Sequence, residues 1–346
     1  MKLNILEDSM DIVRGHQMIM QYGNGDFFAA FDKVVRELDA LVPNDVVSEE
    51  GFIEWVKDAG TYVWTKIKEL WNMLVAFVKR IFGKNTLENT PSIRNVINYG
   101  PFPEGYIPSD FENVNSTIGG GYFMPSVRSM QQYLERVSAI CNLFKGELTT
   151  EMTKVVNDYD IIDDNEEYPM TRFKYFVDNH NTELRDLCGL DINTGRITKL
   201  FNKGDDVYYS KYIGKLYTPI QPASLYAKVN PYLEGGWTNG VFFKNMIGRD
   251  GLLNRVKQEV SDTITSYNDK VVDRYNAKQN RVGRGIAFGT PSSKTRYALW
   301  DDHIQTINSI VCMILNRFTR EITELENLMK INCDAINNDI TKKFQK

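Results

Sequence analysis

The sequence predicts a mainly α-helical protein: a bundle of long amphipathic helices with an extended Pro/Gly/aromatic arm and a small β-rich insertion. Two observations lead to this class. Apolar residues recur every three or four positions over several long segments, which is the period of one helix face. Two other segments, 85–125 and about 189–250, lose that period and contain many turn-forming or aromatic residues.

Composition narrows the class of protein. The chain has 346 residues, of which 42% are hydrophobic and 25% are charged, with a net charge of −4. These values are typical of globular proteins, and the negative charge argues against nucleic-acid binding through bulk positive charge. No uncharged apolar run reaches the roughly 18 residues of a membrane-spanning helix. Acidic residues near the start also argue against secretion by a signal peptide.

Residues 1–47 form an acidic helical leader. They carry eight acidic and four basic side chains, which accounts for the negative charge of the whole chain. The apolar spacing predicts two short helices here, at about 5–20 and 26–41. Asp26 is the expected N-cap of the second helix, which should stop before Pro43.

Residues 48–84 have the clearest helical spacing of apolar side chains in the chain and predict a Trp-rich amphipathic helix. Ser48 can cap its start, and Gly83 suits the left-handed residue that ends a helix. Three of the five tryptophans belong to this segment. Its apolar face consists of Phe52, Val56, Ala59, Val63, Ile67, Leu70, Leu74, Phe77 and Ile81.

Residues 85–125 predict the extended arm. Five prolines and the run Gly119-Gly120-Gly121 argue against a long regular element. The segment is nevertheless too rich in large apolar side chains for a free linker. We therefore expect it to pack along another surface through aromatic residues that include Phe102, Tyr106, Phe111, Tyr122 and Phe123.

Residues 126–346 predict a helical body. Helical spacing covers about 125–159, 170–187, 253–275 and 297–344. The last helix would be about 70 Å long if unbroken, and asparagines at 332, 337 and 338 are expected to interrupt it late. Between about 189 and 250, runs such as Val207-Tyr208-Tyr209 and Val241-Phe242-Phe243 predict the short strands of the β-rich insertion.

The inventory of reactive residues does not predict an enzyme, a metal site or a cofactor. The three histidines fall in three separate segments without metal-ligand spacing. The four cysteines lie far apart on or beside apolar helix faces, which favours buried reduced thiols. The sequence also contains no GxSxG motif for a serine nucleophile.

One basic loop, at about 279–296, has two interpretations. It contains Arg281, Arg284, Lys294 and Arg296 but lacks the GxxxxGK[ST] pattern of a phosphate-binding loop. These side chains could contact nucleic-acid phosphates or an acidic partner. A solvated connection between two helices is the favoured interpretation.

The acidic leader followed by GFIEWVKDAGTYVWTKIKELWNMLVAFVKRIFGKN resembles the internal head proteins of large tailed bacteriophages. This resemblance covers about the first 90 residues. It implies a virion protein made in the host cytoplasm, whose leader a prohead protease trims. Ser48-Glu49-Glu50 is similar to the sites of such proteases, so the resemblance implies processing at Glu50.

We therefore expect a non-enzymatic virion component, either an internal head protein or a minor structural protein, that packs against other virion proteins or copies of itself. An extended chain with long helices and an apolar arm suits a subunit that grips its neighbours. The alternative is a membrane-active or pore-forming protein that uses the helix 48–83. For this helix, packing against the other long helices of the chain is favoured over membrane activity. The expected interface residues are Trp55, Trp64, Trp71, Phe77, Phe102, Tyr106, Phe111, Tyr122 and Phe123.

Overall fold

The computed structural model describes residues 25–41, 60–82, 89–99, 102, 106, 127–158, 169–180, 184, 240–279 and 290–344. Nearly all of these residues are helical and none of them lies in a strand, so the mainly α prediction is confirmed. The α-helices are α1 (Gly25–Leu41), α2 (Gly60–Ile81), α3 (Pro91–Asn98), α4 (Val127–Leu143), α5 (Thr149–Asn157), α6 (Pro169–Asn179), α7 (Gly240–Ile247), α8 (Leu252–Tyr267) and α9 (Pro291–Asp339).

Helix α9 is the centre of the bundle. It has 49 residues and is therefore about 74 Å long. Every side chain from 303 to 319 is buried, on all sides of the helix. A helix that is buried all round must be covered by several neighbours, and α2, α3, α6 and α8 pack directly against α9.

Contacts between side chains give the directions of the helices around α9. Tyr275 contacts Asp301 and Lys257 contacts Glu326, so α8 and its continuation run antiparallel to α9. Trp64 packs on Tyr275 and Trp71 on Tyr267, so α2 runs antiparallel to α8. The axis of α2 is therefore parallel to that of α9.

Two long helices contain a π-helical turn in their interior. Phe144–Leu148 joins α4 to α5, and Asn268–Val272 joins α8 to a helical stretch at 273–279. The wider turn changes the usual pairing of backbone groups. In the first π-turn the Phe144 carbonyl accepts two hydrogen bonds from Thr149, one from its backbone N–H and one of 2.6 Å from its hydroxyl.

The predicted long helices agree with the structure over the described residues. The Trp-rich helix is confirmed over Gly60–Ile81, and the helix predicted at 26–41 is confirmed as α1. The asparagines near the end of α9 do not interrupt it, because Asn332 is buried and Asn337 accepts a hydrogen bond from Asn95 of α3. Packing against other helices here overrides the weak helix preference of asparagine.

The predicted β-rich insertion is not supported. Val241-Phe242-Phe243, predicted as a strand, begins helix α7. Phe242, Phe243, Met246 and Ile247 are buried, and their spacing is that of a helix face covered by α3 and α8. Packing of this face outweighs the β preference of Val and Phe. Residues 189–239 lie outside the described residues.

The predicted extended arm is wrong for part of its length, because α3 lies within it. Pro91 occupies the first turn of this helix, where proline has no hydrogen bond to lose. Ile93 and Val96, three positions apart, are buried against the bundle. The remainder of the predicted arm beyond Tyr106 lies outside the described residues.

Candidate functional site

The most distinctive feature of the interior is a series of buried polar side chains along the length of α9, on several sides of the helix, which we call the polar stripe. Buried polar groups need hydrogen-bond partners, since an unpaired group costs about 1–3 kcal/mol. Members of the polar stripe contact different neighbouring helices along the length of α9. The stripe consists of Asp301, His303, Gln305, Thr306, Asn308, Ser309, Asn316, Arg317, Thr319, Glu321, Thr323, Asn327, Asn332 and Asp339.

The first cluster of the stripe joins α9 to the helical stretch that follows α8. The Tyr275 hydroxyl donates to Oδ1 of Asp301, and Gln305 donates from Nε2 to Oδ2 of the same carboxylate at 2.8 Å. The ring of Trp64 stands edge-on to Tyr275, with 4.5 Å between the centroids. Two donors therefore hold the Asp301 carboxylate, and Trp64 packs against one of them, Tyr275.

Two titratable groups beside this cluster have strongly shifted pKa values. Burial raises the pKa of the Asp302 carboxyl to about 7. Burial, together with the positive charge of Lys174 on α6, lowers the pKa of the His303 imidazole to about 4. His303 is therefore neutral at pH 7, and Asp302 changes charge near neutrality.

The middle of the stripe joins three helices at Asn308. The Trp71 indole of α2 donates from Nε1 to the Asn308 backbone carbonyl at 3.2 Å. The Tyr267 hydroxyl of α8 donates to the Asn308 side-chain Oδ1 at 3.0 Å. The Trp71 and Tyr267 rings are stacked, with 5.2 Å between centroids. Burial raises the pKa of Tyr267, so its hydroxyl stays protonated and able to donate.

The second half of α9 carries buried charges. Arg317 donates from Nε to Oε1 of Glu321 at 2.8 Å, and the Tyr133 hydroxyl of α4 donates to Oε2 of the same glutamate. One helical turn further on, Lys257 of α8 donates to Oε2 of Glu326 at 2.7 Å. Each carboxylate is thus paired with a group on an adjacent helix or one turn away.

The end of α9 is joined to α3 and to Tyr106. Ser92 donates to Oδ1 of Asp334 at 2.5 Å, and the Tyr106 hydroxyl donates to Oδ2 of Asp339 at 2.7 Å. Tyr106 also stacks on Phe102, with 5.0 Å between the ring centroids. Two aromatic residues of the predicted arm therefore lie against the bundle, as the sequence predicts for them.

The geometry of the polar stripe suits helix docking. Its polar contacts run from Asp301 to Asp339, a length of about 57 Å at the helical rise.

Within the described residues, no group of three His, Cys, Asp or Glu side chains is placed to hold a metal ion. Cys141, Cys312 and Cys333 are buried free thiols as predicted, and burial raises the pKa of Cys312 and Cys333, which disfavours the reactive thiolate.

The structure places the predicted interface residues of the Trp-rich helix inside the chain's own core. Trp64, Trp71 and Phe77 are buried against other helices of the same chain, as the alternative of packing within the chain expects. In this structure they therefore offer no outward contact surface. Phe102 and Tyr106 are only half-buried. Trp55, Phe111, Tyr122 and Phe123 lie outside the described residues.

The structure describes two of the four basic residues of the loop that could contact phosphate or an acidic partner. Lys294 and Arg296 lie in the first turns of α9 and are half-buried there, so they belong to the helix and not to a loop. Arg281, Arg284 and the proposed processing residue Glu50 lie outside the described residues. Among the residues that the structure describes, no helix is long and apolar enough to cross a membrane.

Sequence reasoning missed the polar stripe. The sequence carries no local signal for it. Asn308, Arg317 and Glu321 lie in the strongly helical C-terminal segment, and polar side chains away from the apolar face of a helix are ordinarily expected to face solvent. The sequence alone does not show that neighbouring helices cover α9 on every side.

Comparison with known proteins adds no relative, because no family model, no curated protein and no solved structure matches the chain.

Proposed function

We propose that this protein is a non-enzymatic component of a bacteriophage virion, packaged inside the head or built in as a minor structural subunit. The resemblance of the first 90 residues to internal head proteins supports the phage context. The observation that carries the structural role is the polar stripe. Its ionisable side chains contact other helices: Glu321 accepts a hydrogen bond from Tyr133 of α4, and Asp301 accepts one from Tyr275 in the helical stretch that follows α8.

A central helix fixed at many points suits a protein that must keep its shape in a crowded particle. The described contacts tie α9 to α1, α2, α3, α4 and α8 through separate polar groups. Partners would be other virion proteins or further copies of the chain. The surface that contacts these partners would not include Trp64 and Trp71, which are buried within the chain.

Purified virions test this proposal. Particles of the phage that encodes the chain are isolated on a density gradient, and the chain is measured by quantitative mass spectrometry. We expect a fixed copy number per particle. Protease added to intact particles should spare an internal head protein and should degrade it once the heads are opened. Recovery of the chain only from the soluble lysate would contradict the proposal.

The same preparation tests processing at Glu50. The resemblance implies that chains in mature particles begin after the leader, whereas chains in the lysate retain it. N-terminal peptides identified by mass spectrometry distinguish the two forms. Particles that contain only the full-length chain would exclude leader processing without excluding a virion role.

The membrane-active alternative is less favoured, because the apolar face of α2 is covered by α1, α8 and α9. It requires α2 to leave its contacts with Tyr267 and Asn308. Leakage of dye from liposomes on addition of the full-length protein would support this alternative over the virion proposal.

A further inference from the structure

Helix α1 packs against the bundle through a compact aromatic face. Phe28 and Phe31 are fully buried, and Val34 and Val35 are buried beside them. Phe27 stacks on Phe77 of α2, with 4.1 Å between ring centroids. A helix of 17 residues is thus held on one face only, mainly by α2.

Two ion pairs flank this aromatic face. Asp32 lies 2.6 Å from an Arg320 nitrogen on α9, and Glu37 lies 2.7 Å from Lys66 Nζ on α2. Arg320 also lies over the ring of Phe28, 4.9 Å from its centroid. In both pairs α1 supplies the acid and the bundle supplies the base, so the charges of the two surfaces are complementary.

The contacts that hold α2 against α8 and α9 do not involve α1. Helix α2 turns one face, with Trp64 and Trp71, toward α8 and α9. It turns another face, with Lys66 and Phe77, toward α1. Loss of α1 would therefore leave the stacked Trp71–Tyr267 pair and its hydrogen bonds in place.

Contacts between α1 and α2 give their relative direction. Phe27 contacts Phe77 and Glu37 contacts Lys66, so the two helices are antiparallel. Among the helices that the structure describes, α2 is the main neighbour of α1. Helix α1 is therefore a peripheral element, held by one aromatic face and two flanking ion pairs.

We propose that α2 and α9 form a helix-binding groove and that α1 is its detachable, tethered ligand. The groove recognises an amphipathic helix by aromatic residues at the positions of Phe27, Phe28 and Phe31 and by acids at the positions of Asp32 and Glu37. Such binding is the helix-in-groove mode, in which apolar anchors give affinity and flanking charges give specificity. The inference is independent of a virion role.

The test is competition by α1 supplied as a separate peptide. A fluorescein-labelled peptide of residues 22–42 is titrated with the full-length protein, and its fluorescence anisotropy is recorded. We expect saturable binding, weakened by competition from the tethered α1. A D32R peptide should bind about two- to fivefold more weakly, the range given by one part-exposed ion pair.

A charge-reversed protein makes the test specific. In the R320D protein the preference should invert, so that the D32R peptide binds more tightly than the unaltered one. The K244D protein is the matched control, since Lys244 is an exposed cation on α7, and it should keep the original preference. Absence of peptide binding, or equal binding of both peptides to the unaltered protein, would overturn the proposal.

Hydrogen exchange of the unaltered full-length protein gives a second, variant-free readout. Amides of residues 28–37 should exchange together and faster than those of 303–319, and added salt should accelerate only the first group. Exchange of both groups at one common rate would mean that α1 leaves only when the whole molecule unfolds. That result would also overturn the proposal.

Discussion

At the scale of single residues, the neighbours Asp302 and His303 have opposite linkage to pH. The pKa of Asp302 is raised to about 7, so the folded state holds a proton that the unfolded state has lost above about pH 4. Its contribution to stability therefore falls as pH rises from about 4 to 7. The pKa of His303 is lowered to about 4, so its contribution falls as pH decreases from about 6.5 to 4.

The variant D302N isolates the first of these effects. It removes the penalty of ionising a carboxyl in this site, so the free energy of unfolding at pH 8 should rise by about 2 kcal/mol relative to the unaltered protein. At pH 4 the difference should be small. Urea unfolding at a series of pH values measures it. A difference between the two proteins that does not change with pH would contradict the shifted pKa.

At the scale of elements, α2 is a core helix. Trp71 is fully buried, stacks on Tyr267 and donates to Asn308. Trp71→Ala should therefore lower the free energy of unfolding by about 3–5 kcal/mol. Asn72→Ala changes the exposed neighbour and should have little effect. Chemical denaturation of both variants measures the contrast. Unchanged stability with loss of self-association would instead mark Trp71 as an interface residue.

A buried hydroxyl adds a second hydrogen bond to a carbonyl of the first π-helical turn. The Thr149 hydroxyl donates to the Phe144 carbonyl at 2.6 Å, and the Thr149 backbone N–H donates to the same oxygen, whereas the neighbouring Thr150 hydroxyl donates to the Gly146 carbonyl on the exposed side. Thr149→Val keeps the shape and the backbone hydrogen bond but removes the hydroxyl's bond, so it should lower the free energy of unfolding by about 0.5–1.5 kcal/mol.

Thr150→Val is the matched control, because water can replace its hydroxyl. It should change the free energy of unfolding by less than about 0.5 kcal/mol. Thermal unfolding of the two variants compares them directly. Equal losses would mean that the buried hydrogen bond does not stabilise the π-turn.

At the scale of the whole molecule, the ion pair Lys257–Glu326 ties α8 to the second half of α9. Lys257 is buried, and its Nζ lies 2.7 Å from the glutamate oxygen. Lys257→Met alone would leave Glu326 without its partner, so we expect a loss of about 3 kcal/mol. The double variant K257M/E326L should recover most of that loss, because an apolar pair avoids the cost of burying charge.

Denaturant unfolding of the two single variants and the double variant completes the cycle. Additive losses would show that the two side chains do not interact. A double variant that matches the unaltered protein in stability but binds the α1 peptide differently would show that the pair sets the position of α9. That outcome would connect the interior of the bundle to the groove described above.

The sequence by itself determined the long helices and which side of each is apolar, but not the short helices α3 and α7. The faces that contain Phe31, Leu70 and Val260 follow from spacing alone, because 3.6 residues per turn place such positions on one side. The class of the fold was predictable for that reason. The strand predicted at Val241–Phe243 was wrong because three apolar residues in a row fit either period, and only the neighbours α3 and α8 decide between them.

Only the tertiary structure decided which faces meet. Spacing shows that α2 has an apolar face but not that Tyr267 covers it, and nothing local marks Asn308 or Glu321 as buried. The same polar side chains on a peripheral helix would face water. They form the polar stripe because α9 lies at the centre of the bundle. There, buried polar groups take hydrogen-bond partners from neighbouring helices, as Asn308 and Glu321 do, or from the backbone of α9 itself, as Ser309 does.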